Sequence, residues 1–416
     1  MKKLVQSLLL AILVGITTGA NAEITKISTD GNFQENIQEA LILAEEGDVI
    51  QLPAGTFAIK STLSLDVDRV TVIGAGIDKT ILSYKNQDAG SEGLTVTSSG
   101  CTLKDFTIED AKGDAIKVKG AKGINFLNVG TVWTNGPKSS NGAYGLYPVA
   151  SEDVLIDGCL AIGASDAGIY VGQSKNVIVR NSRAEFNVAG IEIENCYNAD
   201  VYNCIATRNT GGILVFDLPN LPQQGGHDVR VFNNKSFDND TENFAPAGNI
   251  VGNVPTGTGI LIMANRNVDI FENELYGNGT TNIMISSYMS RPGEKMDPDY
   301  IPNPQAIHVH HNKMGKSGFK PMGIYGDMMM AAAGTKTLPD ITWDGRISKK
   351  AKKSGKFSPN AILSIHDNGD ADYVNLDIDT FLKDPKATKP SGDLSVHSNP
   401  LPAFPGVTID SDQGTD

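Results

Sequence analysis

Positive charge is in short supply. Lys and Arg number 35 against 48 Asp and Glu in 416 residues, a formal net charge of −13. A general nucleic-acid binder needs net positive potential, so that class is excluded. Long apolar runs are missing too. Beyond the amino terminus no stretch reaches about 18 consecutive apolar residues, so no membrane-spanning helix is expected. Cysteine is limited to Cys101, Cys159, Cys196 and Cys204, and none stands near the amino terminus to accept a lipid. Glycine, by contrast, is abundant at 44 residues, and the 40% of hydrophobic residues recur with a period, which excludes disorder.

The segment from Met1 to Ala22 reads as an export signal. Lys2 and Lys3 are followed by an apolar run from Leu8 to Ile16, and Ala20-Asn21-Ala22 is an A-x-A cleavage site. The expectation is a soluble exported protein, periplasmic or secreted, in a compartment that permits disulfides. Pairing cannot be read from spacing alone.

A small residue followed by an apolar one recurs along the chain, with its apolar members at Ile116, Leu146, Ile169, Ile191, Ile213, Ile260 and Ile283. Successive members stand 30, 23, 22, 22, 47 and 23 positions apart, so a base period of 22 to 23 is interrupted by insertions. Between these steps lie second strands with period-two alternation, at 154–157, 177–180, 229–232, 268–271 and 307–310. Asn128, Asn181, Asn203 and Asn233 mark one turn, and Asn187, Asn209, Asn239 and Asn278 another, where stacked amides can bond from coil to coil. Short strands joined by sharp turns at this period describe an all-β fold, a single right-handed parallel β-helix. Ile37, Ala40, Leu41 and Ala44 form the apolar side of a helix over 36–46, which would cover the open first coil. The predicted organisation is a signal peptide at 1–22, the β-helix with its cap at 23–326, and an irregular segment with an acidic tail at 327–416. One more strand pair is expected near 361–365 and 373–376. Cys159 and Cys204 fall two coils apart, about 9.6 Å from doubled strand spacing, too far for a bond.

The helix, the run 48–57 and the coils resemble the pectin-lyase-like right-handed parallel β-helices over roughly residues 30 to 326. The segment Tyr144-Gly145-Leu146-Tyr147-Pro148-Val149 resembles exported repeat proteins of that fold. It also resembles the Y-G-x-D-P-H motif of mannuronan C5-epimerases, with Tyr147 in place of the catalytic Asp and Val149 in place of the His. A standard epimerase is therefore not expected.

Alternation assigns two outward columns. One reads Lys117, Tyr147, Tyr170, Glu192, Leu214, Leu261; the other reads Lys119, Val149, Gly172, Glu194, Phe216, Met263. Insertions at 134–143 and 240–257 precede this strand, and 217–227 and 287–305 follow it, so the face is expected to be an open trough for a carbohydrate chain. Glu192 and Glu194, about 7 Å apart, suit inverting hydrolysis or simply two solvated carboxylates. Tyr144, Tyr147 and Tyr170 with Lys117 and Arg208 suit proton transfer beside a uronate, or sugar stacking without catalysis. These seven residues form the candidate catalytic set, and Lys119, Phe216 and Asp217 the candidate substrate-binding set. His308 and His310 on one strand, near Asp269, are the weaker candidates for a metal site.

Two readings follow. One is a protein that binds, and cleaves or modifies, a polysaccharide, acidic polymers included. The alternative is a non-catalytic envelope protein that binds a partner, a glycan or a metal. The repeat class it resembles includes a periplasmic protein that assists copper loading of nitrous oxide reductase. No cofactor is predicted; calcium and copper stay open. The ligand is expected along the tyrosine column, and replacing Tyr147 or Tyr170 is expected to leave folding nearly intact.

Overall fold

The computed structural model describes residues 22–348 and 361–409. The expected export signal up to residue 21, most of the basic run 346–356 and the end of the acidic tail lie outside the described residues.

The sequence period becomes a stack of coils in which every ladder between named strands is parallel, as in a right-handed β-helix. Eleven strands, from Ser61–Leu65 to Tyr373–Asn375, form one sheet, here termed the front sheet. Twenty more form the rest of the wall. Leu146, Ile169, Ile191, Ile213, Ile260 and Ile283 pair in register down the front sheet, each fully buried in the core. Each such side chain contributes roughly 2 kcal/mol of burial. A slip of one residue would turn the whole column out of the core, so the register is strongly specified.

The turns explain the asparagines. Asn128, Asn181, Asn203 and Asn233 have φ between 52 and 55°, the left-handed region that asparagine tolerates better than most residues. Asn187, Asn209, Asn239 and Asn278 are fully buried, and each of the first three donates its side-chain amide to the carbonyl of the next at 3.0 to 3.2 Å. A second buried ladder runs through Asn234, Asn273, Asn312 and Asn368. The four cysteines are separate, buried thiols; Cys159 and Cys204 are unlinked.

Helix α1 (Phe33–Leu43) begins earlier than expected, because Phe33 stacks on Phe57 with ring centroids 3.8 Å apart. It buries Ile37 and Leu41 against the first coil. Two of its glutamines substitute for a neighbouring strand. The Lys60 and Ser64 amides donate to Gln34 Oε1 and Gln38 Oε1, at 2.6 and 2.9 Å, and Gln38 Nε2 donates back to Ser64 O at 3.1 Å. The edge of the front sheet is thereby satisfied.

The stack does not stop at residue 326. Helix α2 (Gly323–Ala333) is inserted, and then Ile341–Trp343 and Tyr373–Asn375 extend the front sheet while Leu363–His366 extends the wall. The expected boundary is corrected accordingly. Insertions broke the period there and hid Ile341–Trp343, whereas Leu363–His366 and Tyr373–Asn375 stand where one more strand pair was expected.

Candidate functional site

The outward columns stand in the expected register. Lys117 pairs with Tyr147, Tyr170 with Glu192, and Glu192 with Leu214; Gly172 pairs with Glu194, and Glu194 with Phe216. Their exposure differs from expectation. Tyr170 is 4% exposed, Glu192 1% and Phe216 1%. The reason is the insertion 240–257, which folds across the sheet instead of standing beside it. Its Val251 and Val254 join Tyr170, Val188, Leu214 and Phe216 in one apolar cluster. Asn249 fixes it by donating to Asp166 Oδ2 at 3.0 Å. The open trough is therefore closed over its middle coils, and Tyr170 is a packing residue whose removal would not be silent.

What remains accessible is the amino-terminal end of the face. Tyr144 and Tyr147 are half-buried and Lys119 is exposed. Tyr144, Tyr147 and Tyr170 form a three-ring cluster, with centroids 4.4, 4.6 and 5.0 Å apart. The Lys117 ammonium lies 5.1 Å from the Tyr147 ring centre and contacts Asp114 at 3.2 Å and Glu92 at 3.7 Å. Burial alone would lower the Lys117 pKa, but Asp114, Tyr147 and Glu92 raise it, so the cation is firmly held.

Behind the rings lie the acids. The Tyr170 hydroxyl donates to Glu194 Oε1 at 2.7 Å and the Tyr144 hydroxyl to Asp166 Oδ2 at 3.4 Å. Burial pushes the Asp166 carboxyl up to about 7; the Glu194 charge adds to this, and the bonds from Asn249 and Tyr144 oppose it. Burial pushes Glu194 to about 7 as well, against the bond from Tyr170. Glu192 is raised well above the carboxylate range by burial and by Asp166 and Glu194, and its Oε2 has no hydrogen-bond partner. Burial likewise raises all three phenols, so each tyrosine holds its proton. Glu192 and Glu194 are thus neither solvated carboxylates nor a pair open to an attacking water, which inverting hydrolysis requires.

Arg208 is not brought into this cluster. It sits on the turn before the front strand, over the Phe186 ring and 4.0 Å from Glu185. Asp217 accepts the Gly226 amide at 2.8 Å and so ties down the loop that follows its strand. Phe216 faces an apolar cavity of about 120 Å³, with Leu261, Met284 and Met329 among its walls. His308 and His310 are on the other wall, on the strand Gln305–His310.

Asp166, Asp114, Glu92 and Asn249 were missed by the sequence reading. Asp166 had a signal. At the position three before the inward residue, the other coils carry Gly113, Ala143, Val188, Thr210, Gly257 and Thr280, so one acid stands alone in that column.

A parallel stack with this register and end cap defines a right-handed β-helix. The family model described as "right handed beta helix region" matches residues 80–222 and 138–292, together just over half the chain, and the protein belongs to that family. No curated protein matches it. Among solved structures it is similar to the A-module of a mannuronan C-5 epimerase from Azotobacter vinelandii, at 15% identity and TM-score 0.51, over 81% of this chain and 84% of that one. It is similar also to an alginate lyase from a Paenibacillus species, at 17% identity and TM-score 0.45, over 72% and 98% of the chains. A third is an α-1,3-glucanase catalytic unit from Streptomyces thermodiastaticus, at 15% and 0.48, over 84% and 53%. At these identities the likeness is one of fold.

Proposed function

We propose that this is an exported β-helix protein that recognises a polysaccharide chain at the amino-terminal end of the front sheet, where Tyr144, Tyr147 and Lys117 meet. The three-ring tyrosine cluster carries the reading. Half-buried rings with protonated hydroxyls offer sugars both an apolar face and a donor. Lys117, already matched by two carboxylates, contributes a hydrogen-bond donor more than net positive charge. Export rests on the segment from Met1 to Ala22. The epimerase named above acts on a polysaccharide, in keeping with this substrate class.

A second reading, chemical modification of the bound chain, is favoured by one observation. Asp166 holds a proton up to about pH 7 and lies against the Tyr144 hydroxyl, the arrangement of a group that exchanges protons near neutrality.

The test is a panel of neutral and acidic polysaccharides, scored for binding by calorimetry and for turnover by unsaturated-product absorbance and new reducing ends. Tyr147→Ala should weaken binding roughly fivefold, the equivalent of about 1 kcal/mol of ring contact. Failure of every polymer to bind, or equal binding by Tyr147→Ala and Lys117→Ala, would sink the proposal. Binding without products would restrict the protein to recognition.

A further inference from the structure

Four of the six histidines gather at one place on the wall opposite the front sheet. Alternation along Gln305–His310 turns His308 and His310 to the same side. Register brings Asp269 beside His308 from the coil before, and His366 beside His310 from the coil after. His366 and Asp367 come from beyond a long insertion, so the gathering is visible only in three dimensions.

The distances are short throughout. Asp269 Oδ1 is 2.9 Å from His310 Nε2 and 3.3 Å from His308 Nδ1. His308 Nε2 is 2.7 Å from His366 Nε2, and His310 Nδ1 is 2.8 Å from His311 Nδ1. His366 Nδ1 and His311 Nε2 face Asp367 Oδ2, at 2.8 and 4.0 Å. Every ring nitrogen of the four histidines thus faces another member of the cluster. An ordinary buried histidine is different: His397 directs Nδ1 to the Leu363 carbonyl at 2.8 Å. Two facing imidazole nitrogens repel unless a proton or a cation lies between or beside them.

Part of the arrangement has a packing explanation. His310 and His366 continue the ring stack of Phe232 and Phe271, with centroids 5.2 and 5.3 Å apart. That stack does not require His308, whose side chain is only 9% exposed, or the buried Asp269 carboxylate that both rings address.

We propose that Asp269, His308 and His310 hold one divalent first-row transition cation of the zinc or copper type, with His366 set against the far ring nitrogen of His308. Two imidazoles and one carboxylate suit such ions, whereas calcium takes six to eight oxygens. Donors around a tetrahedral ion with bonds of about 2.0 to 2.1 Å stand roughly 3.3 Å apart. The one-atom-per-residue set Asp269, His308 and His310 lies within 4.8 Å, with its carboxylate–imidazole edges at 2.9 and 3.3 Å. Small side-chain rotations accommodate the ion without moving the strand. His311 and Asp367, with side chains 57% and 66% exposed, leave a polar route from solvent.

The test uses the full-length protein without a histidine tag, stripped by a chelator. Titration with Zn²⁺ by calorimetry should show one tight equivalent, and Co²⁺ should give visible absorption bands of a low-coordinate, nitrogen-ligated ion. The double variant His308→Gln/His310→Gln should bind at least about 100-fold more weakly and lose the Co²⁺ bands. His310→Phe keeps the ring stack and Asp269→Asn keeps the size of the side chain, so either replaces the double variant should it fail to fold. His227→Gln, away from the cluster, should bind as the parent does. Absence of a stoichiometric equivalent in the parent, or undiminished binding in the folded variants, would overturn the site.

Discussion

The front sheet and the opposite wall are made by the same coils, yet their outward columns follow different rules. On the wall Tyr202, Phe232, Phe271 and His310 stack ring on ring at 4.9 to 5.2 Å with planes within 12°. On the front face the chemistry changes at nearly every step, from Lys117 through Tyr147, Tyr170 and Glu192 to Leu214. Repeated rungs give an interaction that each new coil renews. A mixed column gives none, and here it buries a carboxyl oxygen of Glu192 without a partner although the next coil puts a leucine at that place. The fold alone does not require that arrangement. On the front sheet, therefore, the mixed column marks the candidate site.

The contrast can be broken most strongly at Tyr170. Tyr170→Ala should destabilise the protein by about 3 to 5 kcal/mol, as removal of a buried aromatic does, while Tyr147→Ala should cost less than about 1 kcal/mol. Urea unfolding measures both, and equal losses would mean that the 240–257 insertion does not seal the face.

A smaller effect should appear with pH. Asp166 and Glu194 bind protons up to about 7 when folded but only up to the ordinary carboxyl range when unfolded. Unfolding between those limits releases protons, so stability should fall as pH rises from 5 to about 7, by on the order of 1 kcal/mol per pH unit. Glu192→Leu should stabilise the protein at pH 8, because it removes a buried carboxyl with an unpartnered oxygen. Urea midpoints that are flat or rising with pH, or a loss of stability in Glu192→Leu, would contradict the burial of this cluster.

The smallest change is expected on the wall. Phe232→Leu removes one ring from the stack and should cost about 1 kcal/mol, measured by the same denaturation, without altering the pH slope. A changed slope would couple two faces that otherwise act separately.

Period and alternation carried most of the fold, because inward Leu146, Ile169 and Ile191 and their outward neighbours obey strictly local geometry. Even the pairing of Glu194 with Phe216 was legible, as was the separation of Cys159 from Cys204. Burial was not. Whether Tyr170 meets water depends on Val251 and Val254, several coils further along the chain, in a segment with no period of its own. His366 was hidden for the same reason, since an insertion separates it from the coil of His310. Asp166 was legible but lay in a turn, outside the outward strand columns that were followed.

The buried thiols make the stack its own reporter. Cys101, Cys159, Cys196 and Cys204 are each at most 2% exposed and occupy positions from the early to the middle coils. A thiol reagent reaches any of them only after its coil has opened. Site-resolved labelling rates would therefore map, coil by coil, where the solenoid comes apart first and whether a bound ligand at one end slows opening at the other.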